Sequence, residues 1–93
     1  MITSFRSKPL ATFAQTGDGS KLPVPASSHS RVRLLLNMLN DATTPEDMKQ
    51  PGVGFHGLQG KPKRYAAKVT VNYRITFGWD AGDAVAVDLE DYH

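Results

Sequence analysis

Apolar residues recur in two rhythms along this chain, and the change between them divides it in half. Through "SSHSRVRLLLNMLNDA", Val32, Leu35, Leu36 and Leu39 fall at i, i+3, i+4 and i+7, the one-sided stripe of an amphipathic helix. Ser27 or Ser28 is placed to cap its start. Upstream, "KPLATFAQTG" predicts a shorter helix ending at Gly17, and "DGSKLPVPA" the loop after it. "ITSF" predicts a short first strand. In "TTPEDM", Thr44 precedes Pro45, with Glu46 and Asp47 following, which predicts a short helical turn capped by the threonine.

In the second half the period falls to two. "GVGFHGL" alternates weakly. "YAAKVTV" sets Tyr65, Ala67, Val69 and Val71 against Lys68 and Thr70, and "YRITFGW" sets Tyr73, Ile75, Phe77 and Trp79 against Arg74 and Thr76. In "AVAVDLE", Val85, Val87 and Leu89 alternate with Ala86, Asp88 and Glu90. One strand through both of the first two segments would far exceed the usual length of about 5–6 residues. A turn is therefore expected near Val71-Asn72, where asparagine tolerates positive φ, and "DAGD" (80–83) makes the next. Two helices followed by an antiparallel meander predict an α+β domain. Its helices pack on one sheet face, over Tyr73, Ile75, Phe77, Val85 and Val87.

Length fits that picture: 93 residues suit a single domain, 1–93, with one core. No apolar run approaches the roughly 18–20 residues of a membrane span, and "MITSFRSKPL" lacks the apolar centre of a signal peptide. With no cysteine, disulfides and Cys-based zinc sites are excluded. The expectation is a soluble cytoplasmic protein with no membrane partner. Net charge is only +2, but it is segregated. Lys49, Lys61, Lys63, Arg64, Lys68 and Arg74 fall between Met48 and Trp79 without an acid; Asp80, Asp83, Asp88, Glu90 and Asp91 follow without a Lys or Arg. A basic stretch of this kind attracts polyanions such as nucleic acid.

The polar sheet face carries the candidate chemistry. His56, Lys68, Arg74 and the closing Asp91-Tyr92-His93 come from successive strands or strand ends, and neighbouring strands lie about 4.8 Å apart. Metal-free RNA cleavage needs such groups: a base for the 2′-OH, a cation for the five-coordinate phosphorus, and an acid for the departing 5′-oxygen. Histidine, with an unperturbed pKa of about 6.5, serves at either step. Lys61, Lys63 and Arg64 suit an RNA backbone, because phosphate contacts position without specifying. Plainer readings stand beside these. Arg74 would pair with Asp88 or Glu90 across strands, Tyr92 would pack its ring on the sheet, and His29 would be structural or solvated.

"FHGLQG", "VNYRITF" and "GDAVAVDLEDYH", in that order, together with "ITSFRSKPL" and "PEDM", resemble the HigB toxins, a branch of the RelE/ParE superfamily of toxin–antitoxin pairs. The resemblance spans essentially the whole chain. It implies a RelE-like fold and a ribosome-dependent messenger RNA endonuclease that uses neither metal nor other cofactor. It also implies a helix-turn-helix antitoxin (HigA-like), through which alone operator DNA would be bound. Position by position, His56 stands at the histidine of the family's His-x-Leu-Lys-Gly segment. Asn72 and Arg74 stand in its Asn-Trp-Arg-Ile-Thr-Phe, and Asp91, Tyr92 and His93 match its terminal Asp-Tyr-His. Catalysis is thereby expected of His56, Arg74, Asp91, Tyr92 and His93, and RNA or ribosome contact of Lys61, Lys63, Arg64, Lys68 and Asn72. Gln59 replaces a common lysine, Tyr73 the usual tryptophan, and Val71 a common turn glycine. Two alternatives stand beside this: the resemblance to the wider superfamily also allows a ParE-like inhibitor of a protein such as DNA gyrase, and the basic stretch allows an RNA- or partner-binding module.

Overall fold

The computed structural model describes residues 1–92. Helix α1 spans Lys8–Thr16 and α2 His29–Asp41, and four strands follow: β1 His56–Gly57, β2 Arg64–Lys68, β3 Tyr73–Asp80 and β4 Asp83–Asp91. The strands form one antiparallel sheet in the order β1-β2-β3-β4, so the expected α+β meander is present. Helix α1 starts on the Ser7 hydroxyl, which accepts from the Leu10 N–H at 3.1 Å. It ends at Gly17 with φ 80°, a left-handed cap that glycine adopts without a Cβ clash. Thr44 and Asp47 form a reciprocal capping box around a short 3₁₀ turn, Pro45–Met48. The Thr43 and Thr44 N–H groups donate to Asp47 and, with the Thr43 hydroxyl, hold its carboxyl below its ordinary value of 3.8.

The predicted stripe of α2 is the centre of the core. Val32, Leu35, Leu36 and Leu39 are all buried, and with Leu10 and Phe13 of α1 they pack against Ala67, Ile75, Phe77, Val87 and Leu89 of the sheet. Burying such a side chain contributes about 1.5–3 kcal/mol. Leu36→Asp removes that contribution and leaves a carboxylate without a partner in the interior. Loss of the cooperative thermal transition, followed by circular dichroism, is the expected result. An unchanged melting temperature would contradict this packing.

Several sequence expectations are corrected. "ITSF" does not form a full strand; residues 2 and 5 make isolated parallel bridges to Ala84 and Val87 on the β4 edge. No serine side chain caps α2, whose start instead continues from a 3₁₀ turn, Ala26–Ser28. Strand β2 ends at Lys68, and Val71 is 82% exposed rather than facing the core. The turn before β3 needs no positive φ at Asn72, since the Thr70 hydroxyl accepts from the Asn72 and Tyr73 N–H groups. The Asp80–Asp83 turn does use positive φ, at Ala81 (51°) and Gly82 (85°), the two-residue geometry that matches sheet twist.

Val85 is the largest departure. Thr76 pairs with Asp88 and Gly78 with Val85, so Ala86 and Val87 together oppose the single residue Phe77. This is a β-bulge, and its first residue, Ala86, takes φ 49°, where glycine is usual. The extra residue reverses the pleat between Val85 and Val87. Ala84 and Val87 are buried on the helix side, whereas Val85 lies against Gly78 on the opposite face.

Candidate active site on the open sheet face

Residues opposite one another in an antiparallel sheet share a face, so the register identifies what meets on the side away from the helices. One row runs His56, Ala66, Thr76, Asp88; the next holds Lys68, Arg74 and Glu90; a third holds Arg64, Gly78 and Val85. Tyr92 follows Glu90 by two residues, and its ring covers the Arg74 guanidinium at 5.0 Å. Its backbone N–H donates to Asn72 O at 2.8 Å. Asn72 thus pins the chain segment that carries Tyr92. His56 is exposed on the short edge strand β1, with Nδ1 3.2 Å from Gly54 O. The strand is anchored by Phe55, stacked on Tyr65 at 5.7 Å, which in turn stacks on Phe77 at 5.6 Å. Two strand spacings, roughly 10 Å, separate the His56 backbone from β3, a gap that an imidazole and a guanidinium can both reach into.

A concavity on this face is lined by Arg6, Gln59, Lys61, Arg64, Arg74 and Glu90, among others. Arg64 is seated by two bonds from Nη2, to Thr76 Oγ1 at 3.0 Å and to Ala86 O at 2.9 Å. The Thr76 hydroxyl donates onward to Glu90 Oε2. Thr76 itself is fully buried, so the chain Arg64–Thr76–Glu90 is held inside the sheet surface. Burial, then the neighbouring Arg6 cation, lower the Arg64 pKa, opposed by Glu90 and Asp88; arginine nevertheless stays charged. Arg74 differs. Its Nε is buried and has no acceptor among the described residues, and a buried donor left unpaired costs about 1–3 kcal/mol. Nor does an ion pair join Arg74 to Asp88 or Glu90 there, where the ion pair present is Met1 N to Asp83. The pairing that would have made Arg74 merely structural is not formed.

This geometry stands beside two similarities. The family model described as "RelE-like toxin of type II toxin-antitoxin system HigB" matches residues 3–93. The protein named endoribonuclease HigB from Proteus vulgaris is 34% identical over 94 residues, covering 100% of both chains. The chain belongs to the HigB-like toxin family. It is therefore the toxin of a type II toxin–antitoxin pair, with an antitoxin as partner, and the resemblance seen in its motifs holds. Among the described residues no helix is long and apolar enough to cross a membrane.

The family motifs do not all converge equally in the fold. Arg74, Lys68, Arg64 and Tyr92 share the open face with His56. Asp91 stands opposite Tyr73, so the pleat sets it on the other side from Glu90 and Arg74. His93 lies outside the described residues. Lys61 lines the concavity at the Gln59 position, while Lys63 is tethered: Nζ donates to Leu58 O at 3.1 Å and lies 5.8 Å from the Tyr65 ring centre. His29 is remote, its ring 5.5 Å from Phe13 and against Gly19.

Alternation places Thr76 and Glu90 on the polar side with Arg74, but sequence reasoning missed Arg6 as part of this face and the link from Arg64 through Thr76 to Glu90. It also missed Arg31, whose guanidinium donates to Lys68 O at 2.9 Å and Gly52 O at 2.6 Å. That grip fixes the end of β2, and Lys68 with it, from helix α2. The polar side of α2 held the signal, an arginine beside the apolar stripe, but nothing local to it names its acceptors.

Proposed function

We propose that this chain is a ribosome-dependent endoribonuclease that cuts messenger RNA by attack of a 2′-hydroxyl on the adjacent phosphate. The observation that carries the reading is Arg74, a cation whose Nε has no acceptor among the described residues, on a face shared with His56 and Tyr92. A bound phosphate offers oxygen acceptors to the guanidinium N–H groups of Arg74. The name of the Proteus vulgaris relative, endoribonuclease HigB, supports the same chemistry. In this mechanism His56 and His93 exchange protons with the attacking and leaving oxygens. Arg74 stabilises charge on the five-coordinate phosphorus, Tyr92 stacks on or bonds the substrate, and Asp91 favours the charged form of His93. Lys61, Lys63, Arg64, Lys68 and Asn72 hold RNA or ribosomal backbone. A helix-turn-helix antitoxin, through which operator DNA is bound, keeps the enzyme inactive in the cytoplasm.

The decisive experiment gives purified protein a defined message on translating ribosomes. Cleavage is expected at the decoding site, with a 2′,3′-cyclic phosphate on the upstream product. A message with 2′-deoxyribose at the cleaved position is expected to stay intact, because the nucleophile is absent. Equal cutting of the deoxy message would overturn the mechanism.

A further inference from the structure

The concavity beneath Arg74 does not end at Arg64. A second concavity continues along the sheet, lined by Arg64, Gly78, Val85 and Ala86, and Arg6 and Pro62 line both. We propose that Arg6 and Arg64 form a second phosphate subsite, which holds an RNA backbone phosphate flanking the cleaved one. This rests on the ribonuclease reading of the same face and deepens it by giving the substrate a track.

The lining separates the two sites. The backbones of Arg74 and Gly78, which is opposite Arg64, are four residues apart on β3, roughly 13 Å at about 3.3 Å per residue. The Arg64 side chain reaches back to Thr76, and the second concavity is lined by Arg6 and Arg64 but not by Arg74. Arg6 reaches the groove because residues 2 and 5 bridge to the β4 edge and the Arg6 N–H donates to Val87 O at 2.8 Å. Arg64 is oriented beforehand by Thr76 and Ala86. It lies close over Gly78, where an added Cβ would come 3.6 Å from Arg64 Nη1 and 3.3 Å from Val85 Cγ2.

Charge completes the case. Arg6 and Arg64 are near enough for one cation to lower the pKa of the other, a repulsion that a bound anion relieves. Two carboxylates, Asp88 and Glu90, act on Arg64 in the opposite sense. Neither forms an ion pair with Arg6 or Arg64 among the described residues. Glu90 accepts from Thr76, and Asp88 Oδ1 accepts from the Leu89 N–H at 2.9 Å. Arg64 Nη2 is committed to Thr76 and Ala86, so Arg64 offers phosphate its remaining N–H groups singly, and Arg6 supplies the planar fork that suits phosphate oxygens.

The test uses Arg6→Gln, because removing Arg64 would also break its bonds to Thr76 and Ala86. Binding of an RNA oligonucleotide with 2′-deoxyribose at the cleavage position is measured by fluorescence anisotropy over a salt series. R6Q is expected to keep the wild-type melting temperature and weaken binding roughly tenfold at low salt. Its log–log salt slope should fall by about 0.7, the value for one phosphate contact on a single strand. Arg6→Lys should keep most of the slope, since it keeps the charge. On the RNA side, a single neutral methylphosphonate at the flanking linkage should weaken wild-type binding by the same factor and R6Q no further. Wild-type affinity and slope in R6Q would overturn the subsite, as would equal losses whichever linkage is neutral, or no binding by the wild type. Wild-type cleavage on ribosomes is scored separately. If the wild type cuts and R6Q binds normally, only the subsite fails; if the wild type does not cut, the ribonuclease reading fails.

Discussion

Replacing Arg74 with lysine is expected to leave ribosome association intact while messenger RNA cleavage falls roughly 10²–10³-fold, the scale of losing one transition-state donor. Lysine keeps the charge, so long-range attraction to phosphate persists. It loses the planar fork that meets two phosphate oxygens at once. It also loses the flat face that lies under the Tyr92 ring at 5.0 Å. Stability should change little, because Arg74 makes no ion pair among the described residues and its Nε lacks an acceptor there. Single-turnover cleavage on programmed ribosomes, with association measured by co-sedimentation, separates the two quantities. Full activity in Arg74→Lys would reduce the arginine to a structural cation.

Deleting Tyr92 and His93 is expected to abolish cleavage and to leave the fold in place. The deletion removes the bond from the Tyr92 N–H to Asn72 O and the ring over Arg74. Those contacts are worth about 0.5–1.5 kcal/mol for the hydrogen bond and about 0.5–1 kcal/mol for the cation–π contact. Val87 and Leu89, the buried part of β4, are untouched. A modest drop in melting temperature with an intact cooperative transition should therefore accompany a complete loss of activity. A truncated protein that stays folded and cuts at the wild-type rate would show that the closing residues are only a polar tail.

Local pattern carried the fold a long way. The i, i+3, i+4, i+7 stripe of α2 became its buried side because a 3.6-residue period brings those positions onto one line. Alternation in "YRITFGW" placed Ile75 and Phe77 in the core for the corresponding reason with period two. Alternation failed at Val85, and the failure is informative. Pleat parity is conserved only while the ladder is unbroken, and one extra residue opposite Phe77 inverts it. The bulge is stitched by the Ser4 hydroxyl, which accepts from the Ala86 N–H at 2.8 Å across a separation of 82 residues. No window of sequence around Val85 contains that contact.

The candidate site divides along the same boundary. Residue types, charge segregation and motif order were sufficient to single out His56, Arg74 and Tyr92 and to indicate the family, because each is a property of short stretches read in order. That these side chains share one face depended on strand register, which the tertiary structure decides. The structure also set Asp91 on the opposite pleat from Arg74, and turned the Ala86 carbonyl toward Arg64 through the bulge. It alone brought Arg6 from the first residues of the chain to the groove. Periodicity is written into a chain locally, whereas a phosphate groove is made of contacts between distant segments, and those exist only once the core has closed.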